Sequence, residues 1–359
     1  MNYQKICVIW DKKVRSGAIF SISLICKSEY KKLFVFKEKI EVNDLERFRH
    51  FLFIDKFSGD SFSNKKVINS IQILTRRSIS VSYLDTSDSP EIKYIQYVNL
   101  FAHWFKKQMY SNKQNYDREL LGGRLYSDYY ARAQSMPSEI KINNQSTVDY
   151  SKIKLYWNIL LGPYPLTTFK TRVMRYGVKY LGLLYLKMFN YSIINKDVSK
   201  KSEKVFVSQR IGNSNLYTGE VGYQRKIIAD ILDKRFNDST SRVTQRQYNR
   251  EMKKSLFTVS PFGWGEICHR DAEAFMYGSL LIKPNMDHIL TQPDLYLKNF
   301  TYIDSDWDCK NLVEKIDDVV NNEYKYSEIA RRGMNLFYRE NRNFNMYVGQ
   351  LYNQIVNAI

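Results

Sequence analysis

Residues 256–284, LFTVSPFGWGEICHRDAEAFMYGSLLIKP, constrain the fold more than any other stretch of the chain. A short β-leaning run at 256–259 meets Gly263 and Gly265 and reads as a strand entering a loop. Residues 266–277 hold neither proline nor glycine and suit a helix, with Gly278 as its cap. Residues 280–283 then restart as a strand that Pro284 stops. A strand, glycine loop, helix and second strand in this order make an α/β unit. Such units place ligands beyond the strand's carboxyl end, where the loop and the helix N-terminus offer N–H groups to anions.

On that predicted helix Glu266, Arg270, Glu273 and Tyr277 share one face, and Cys268, Ala272 and Phe275 share another. An arginine in the first turn suits a phosphate, and a carboxylate one turn later suits sugar hydroxyls. The same spacing also describes a solvated helix face with an internal Glu–Arg pair.

The segment GEICHRDAEAFMYGSLLIKP resembles the nucleotide-sugar segment of glycosyltransferases of the GT-B fold, including the group-1 and exostosin-like branches. The resemblance rests on Glu273-Ala274, Gly278 and the apolar strand that follows. It implies an α/β protein of two Rossmann-like domains with a cleft between them, and a ribose-binding role for Glu273. Many retaining members carry a second glutamate eight positions earlier. Here that position is Gly265, and Glu266 stands one place late, so the resemblance does not carry retaining chemistry across.

The 359 residues fit two domains of ordinary size. Lys and Arg outnumber Asp and Glu by 55 − 37 = 18. The surface is therefore strongly positive and favours phosphate-rich partners: nucleotide sugars, anionic lipid or nucleic acid. Cys7, Cys26, Cys268 and Cys309 lack metal-ligand spacing, which speaks against a zinc site or a disulfide framework. The sequence shows no signal-peptide pattern and no bilayer-length apolar run. The expected compartment is the cytoplasm, with peripheral contact on the inner face of a membrane as an option.

The first domain is expected over 1–195. Strands are read at 5–10, 33–36, 51–54 and 80–84, with helices at 44–49 and 66–77. Residues 84–91, LDTSDSPE, place Asp85 and Asp88 at a strand's carboxyl end, as active groups or as turn and N-cap residues. Residues 92–109 read as a helix or a strand-and-helix pair, holding His103 among aromatic residues. In 116–132, Gly122-Gly123 is followed by Arg124, Asp128, Tyr129 and Tyr130, groups able to bind hydroxyls or phosphate. Together with 84–91 this resembles the N-terminal domain of some bacterial glycosyltransferases and implies an acceptor-side loop. Residues 150–196 hold eight Lys or Arg and no acid. Their middle puts Arg172, Arg175 and Lys179 on one helical stripe, either to meet an anionic membrane surface or as a connection packed on the protein. Gly177 and Gly182 weaken a free-standing helix there.

The second domain is expected over 204–339, after a charged linker at 196–204. A strand at 205–208 leads to Arg210 and Gly212, and Gly219 and Gly222 precede a helix from about 223. By resemblance Arg210 is the first and Arg225 the second candidate for the donor diphosphate. Asp304, Asp306 and Asp308 mimic an Asp-x-Asp metal site, but a strand at 300–303 and a helix at 310–320 make them N-caps. Helices follow at 327–338 and 344–359, and in the resembling fold residues 340–359 return to the first domain.

The function expected is transfer of a sugar from a nucleotide-diphosphate sugar to a glycan or glycolipid in surface polysaccharide or lipopolysaccharide synthesis. It would need neither metal nor a cofactor beyond that co-substrate. The donor residues are Arg210, Arg225, Gly263, Gly265, Glu266, Arg270 and Glu273. Asp85, Asp88, His103 and Asp128 are base candidates. The alternative is a non-catalytic basic protein that binds nucleic acid or anionic membrane.

Overall fold

The structure, a computed structural model, describes residues 4–11, 16–57, 61–136, 140–142, 148–162, 168–188, 219–236 and 243–358. The described residues of Met1–Met109, Gln145–Ser192 and Arg342–Ile359 form one compact unit. Those of Tyr110–Asn144 and Ile193–Asn341 form the other. Arg210, Gly212 and the strand expected at 205–208 lie outside the described residues.

In the first unit, strands β1 (Ile6–Ile9), β2 (Phe34–Lys37), β3 (His50–Ile54), β4 (Ser80–Asp85), β5 (His103–Lys106) and β6 (Ile153–Leu155) form a wholly parallel sheet. Their order is β2-β1-β3-β4-β5-β6, so the winding reverses between β1 and β3. Sheets of this kind are covered on both faces, which is why ICVI and HFLFI are apolar runs without alternation. Ile6, Val8, Leu52 and Ile54 pack among residues of the helices Ser16–Lys27 and Phe344–Val356. Tyr83 and Trp104 belong to an aromatic cluster with Phe57 and Phe101, their own ring centroids 4.3 Å apart.

Two features depart from the sequence reading here, and a third agrees with one of its two alternatives. The helix Ser16–Lys27 fills a stretch where no element was expected. It is buried almost all round, so it lacks the polar stripe that marks a surface helix, and Ser23 donates inward to the Phe20 carbonyl at 2.7 Å. Residues 92–109 are not a helix: a 3₁₀ turn at Ile95–Leu100 delivers His103 to the start of β5. The helix Thr168–Leu181 is not free-standing. A Cβ at Gly177 would lie 2.4 Å from the Tyr185 ring, so this glycine is the notch in which the following helix, Leu183–Met188, seats its tyrosine. Gly182, at φ 57°, makes the turn between them.

In the second unit, β7 (Phe257–Val259), β8 (Leu280–Pro284) and β9 (Tyr302–Ser305) are parallel in that order. Their side chains share a core with Ile228 and Leu232 of the helix Gly219–Phe236 and with Leu312 and Ile316 of the helix Leu312–Asn321. The helix between β7 and β8 spans His269–Tyr277, with Cys268 as N-cap and Gly278 closing it in left-handed backbone. It starts three residues later than expected, because the Asp271 carboxylate accepts the Cys268 N–H at 3.0 Å and fixes the first turn there. Glu266 is therefore in the loop and not on the helix face with Arg270 and Glu273.

The tyrosine-rich helix Leu125–Ala133 belongs to this second unit, whereas the sequence reading ran the first domain to residue 195. Tyr126 donates to the Gly263 carbonyl at 2.6 Å, and the Gln224 amide donates to the Tyr130 hydroxyl at 2.6 Å. Asp304, within β9, and Asp306 and Asp308 after it are not helix N-caps: Asn311 holds that place. Asp304 instead pairs with Lys298 at 2.7 Å, and Asp308 accepts the Lys310 N–H at 3.1 Å. No group of three potential metal ligands occurs among the described residues.

Candidate functional site

Strand β7 runs into the sequence Ser260-Pro261-Phe262-Gly263-Trp264-Gly265, and the geometry of this loop depends on one buried carboxylate. Asp271 accepts hydrogen bonds from the Ser260 hydroxyl, from Tyr296 at 2.7 Å and from the Cys268 N–H, and pairs with Lys283 Nζ at 3.2 Å. It thereby fixes the end of β7, the start of the helix and strand β8 relative to one another. Neither Asp271 nor Lys283 entered the sequence reading. The signal available was a lysine inside the apolar strand LLIKP, since lysines are buried only when paired.

Arg225 reaches the same loop from the helix Gly219–Phe236. Its Nε donates to the Phe262 carbonyl at 3.0 Å. A Cβ at Gly263 would stand 3.5 Å from Arg225 Nη2 and 3.5 Å from Cys268 Sγ, which are ordinary contacts. The fold itself thus tolerates a methyl group at Gly263, which would pack against the Arg225 guanidinium and the Cys268 thiol. Gly263 N–H donates to the Gly265 carbonyl at 2.9 Å, closing a tight loop with Trp264 exposed at its tip and Arg124 5.8 Å over the indole. Burial pushes the Cys268 thiol up; Lys283, Arg225 and Arg270 pull it down, and the Asp271 charge opposes them.

Further along that helix, Glu273 accepts a hydrogen bond from the Tyr248 hydroxyl at 2.7 Å. Burial pushes its carboxyl above the ordinary glutamate range, and the Tyr248 bond and the Arg270 charge only partly offset this. Arg270 interacts with Tyr248 and Glu273 together. Tyr248, from the helix Gln245–Lys254, was absent from the sequence reading because only tertiary packing brings it here. Glu266 is fully buried, its Oε1 3.4 Å from His288 Nε2. The structure thus gathers Arg225, Gly263, Gly265 and Glu266 at the loop and sets Arg270 and Glu273 along the helix that leaves it.

Beside this region a cavity of about 640 Å³ is lined by Asn115, Arg118, Asp128, Tyr129, Arg132 and Trp307. The Tyr129 and Trp307 rings meet edge to face at 5.5 Å. Asp128 is already engaged: it accepts the Leu121 N–H at 3.0 Å and Arg132 Nε at 2.8 Å, so it braces the Gly122-Gly123 turn.

The remaining base candidates lie in the first unit, Asp85 and Asp88 at the carboxyl end of β4 and His103 at the amino end of β5. Asp85 pairs with the fully buried Lys106 at 3.0 Å and accepts from Trp104 Nε1 at 3.2 Å. Burial raises its pKa, but Lys106 and the Ser87 hydrogen bonds outweigh this and hold it below the usual aspartate range. Asp88 is exposed and pairs with Lys107 at 2.9 Å. His103 packs on Phe105 with ring centroids 5.7 Å apart, and burial lowers its pKa. The sequence reading passed over Asp55, at the end of β3. It sits in left-handed backbone at φ 45°, its carboxylate takes both the Thr86 N–H and the Thr86 hydroxyl, and burial followed by the Asp85 charge pushes its pKa up.

No protein-family model matches the chain, and no curated protein matches it. Among solved structures the chain is similar to Anabaena HepE in complex with UDP-glucose, at 11% identity and a TM-score of 0.44 over 99% of this chain and 100% of that one. HepE with UDP and glucose gives 8% identity and a TM-score of 0.44 over 98% and 100%. A glycosyltransferase from Rickettsia africae gives 11% and 0.43 over 99% of both chains.

Proposed function

We propose that the protein is a glycosyltransferase of the two-domain GT-B kind, moving a sugar from a nucleotide-diphosphate donor to a glycan or glycolipid acceptor. The observation that carries this reading is the glycine loop after β7, whose Phe262 carbonyl holds the Arg225 guanidinium, with Arg270 in the first turn of the helix that follows. Such a combination suits a diphosphate, whose charge grows as the sugar departs. The donor's ribose then lies toward Glu273, and Trp264 offers an exposed ring for the base. Arg210 remains the first candidate from the loop at the start of this domain. The acceptor side is the cavity with Tyr129 and Trp307, aromatic rings of the sort on which a sugar ring rests. Enzyme and co-substrate suffice for this chemistry without metal or further cofactor. The setting is the cytoplasm, in the assembly of a surface polysaccharide or lipopolysaccharide.

The rival reading, a non-catalytic basic binding protein, is favoured by the net charge of +18 alone. Thermal shift with a panel of UDP-, GDP-, CMP- and dTDP-sugars against oligonucleotides separates the two. A sugar nucleotide that stabilises the protein at physiological salt supports the transferase. Stabilisation by oligonucleotides only, fading as salt rises, overturns it.

A further inference from the structure

The helices Thr168–Leu181 and Leu183–Met188 in the first unit carry two apolar faces where a surface helix carries one. Met174, Val178 and Leu186 form the inner face and are fully buried in the core. The outer face is Val173, Tyr176, Tyr180, Leu181, Leu184 and Met188, with exposures from 40% to 79%. The packed connection foreseen as one reading of this segment is thus present, yet it uses only half of the apolar side chains. Tyr185 of the second helix packs against Gly177 of the first, which joins the two helices into one surface.

The polar residues between those outer side chains are cations. Arg172, Arg175, Lys179 and Lys187 are exposed, and among the described residues none has a carboxylate within ion-pair distance. The sequence from 150 to 196 contains no acid to pair with them. No described helix is long and apolar enough to cross a membrane.

We propose that this helix pair docks the protein on an anionic lipid surface. Tyr176, Tyr180, Leu184 and Met188 enter the headgroup–acyl boundary, and the four cations meet lipid phosphates with their alkyl stems lying along the apolar surface. Tyrosine suits that depth because its ring is apolar and its hydroxyl stays wet. Charge complementarity decides the occupant. A second copy of the chain would bring four like charges against these four, whereas an anionic bilayer supplies both the apolar layer and the counter-charge. The proposal stands on this surface alone and does not depend on sugar transfer.

The test is co-sedimentation of the full chain with vesicles of phosphatidylcholine, with and without phosphatidylglycerol. The parent should bind the mixed vesicles and not phosphatidylcholine alone. Replacing Arg172, Arg175 and Lys179 together by Ser should weaken partitioning on the order of a hundredfold, because each cation near such a surface contributes about a factor of five. Replacing Tyr180, Leu184 and Met188 together by Ser should weaken it at low and high salt alike, since that part is hydrophobic. All six positions are exposed, so both variants should melt with the parent. As a second readout, Tyr180→Trp fluorescence should shift to the blue on mixed vesicles. Equal binding by parent and both variants overturns the proposal. So does an unshifted tryptophan, or a concentration-dependent dimer that the apolar variant abolishes.

Discussion

Asp271 and Lys283, both fully buried, form an ion pair at 3.2 Å that ties the head of the His269–Tyr277 helix to strand β8. Two charges taken out of water are stable only while each has its partner. Lys283→Ala leaves the Asp271 carboxylate with hydrogen bonds but no counter-charge, and should cost about 3–5 kcal/mol. The double variant Lys283→Met with Asp271→Asn should recover much of that loss, because no lone charge remains. Urea denaturation of Lys283→Met, Asp271→Asn and the double variant checks this, and full additivity would show that the residues do not act as a pair.

A second prediction concerns pH. The folded pKa of Asp85 is depressed, so its contribution to stability is present above the unfolded value and lost as pH falls through the folded one. Asp55 is shifted the other way: its contribution is present below the unfolded value and lost as pH rises through the folded one. Asp85→Asn should therefore destabilise most at neutral pH, by about 3 kcal/mol with Lys106 left unpaired, and least in acid. Asp55→Asn should gain on the parent as pH rises above the acid range. Denaturation midpoints between pH 3 and pH 7 should diverge in opposite directions for the two variants, and parallel curves would refute the assignment.

How much of this was legible in the sequence depends on what holds each part. Most strands of the two sheets stood out because buried parallel strands are apolar runs with clear ends, as in HFLFI and LLIKP, but β5 was left open and β6, the short run Ile153–Leu155, was not read. Gly278 marked its helix end because only a residue tolerant of left-handed backbone closes a helix that way. The helix Ser16–Lys27 left no periodic trace, since it is apolar all round. The site was only partly visible. Gly263 follows from local order along the chain, and Arg225 and Glu273 from the family resemblance, but Tyr248 and Asp55 matter through partners that no local pattern reveals. The allegiance of Tyr126 and Tyr130 to the second unit rests on bonds to Gly263 and Gln224, more than ninety residues away.

The two glycines with contrasting surroundings make a paired prediction. At Gly177 a Cβ would press 2.4 Å from the Tyr185 ring, so Gly177→Ala should destabilise by about 1–3 kcal/mol. Tyr185→Ala in the same chain should relieve that strain. At Gly263 the contacts are 3.5 Å, so Gly263→Ala should change stability by less than about 0.5 kcal/mol. If the loop receives a diphosphate, the same methyl group should still weaken donor binding by tenfold or more, because it keeps the phosphates from the loop backbone. A Gly263→Ala protein with unaltered melting and unaltered donor affinity would remove the loop from the donor site.

The last prediction separates two roles for Glu273. Its carboxylate accepts the Tyr248 hydroxyl at 2.7 Å beside Arg270, an arrangement that serves either a sugar hydroxyl or the packing of two helices. Tyr248→Phe deletes the hydroxyl and keeps the ring. If Glu273 is structural, this variant and Glu273→Gln should lose similar stability, about 1–2 kcal/mol each, and neither should alter affinity for a nucleotide in what remains folded. If Glu273 binds ribose, Glu273→Gln should weaken nucleotide binding by about 1.5–3 kcal/mol, the scale of a hydrogen bond to a charged group. Tyr248→Phe should then bind as the parent does or better, since the carboxylate is released from its internal partner. Arg270→Lys adds a further distinction: a lysine cannot reproduce the guanidinium fork, so diphosphate affinity should fall while nucleoside affinity holds. Calorimetry on the three variants with nucleoside and nucleoside diphosphate reads all of these outcomes. Equal weakening of both ligands by Arg270→Lys would make Arg270 a structural partner of Tyr248 and Glu273. A loss confined to the diphosphate would place the donor's phosphates at the head of this helix.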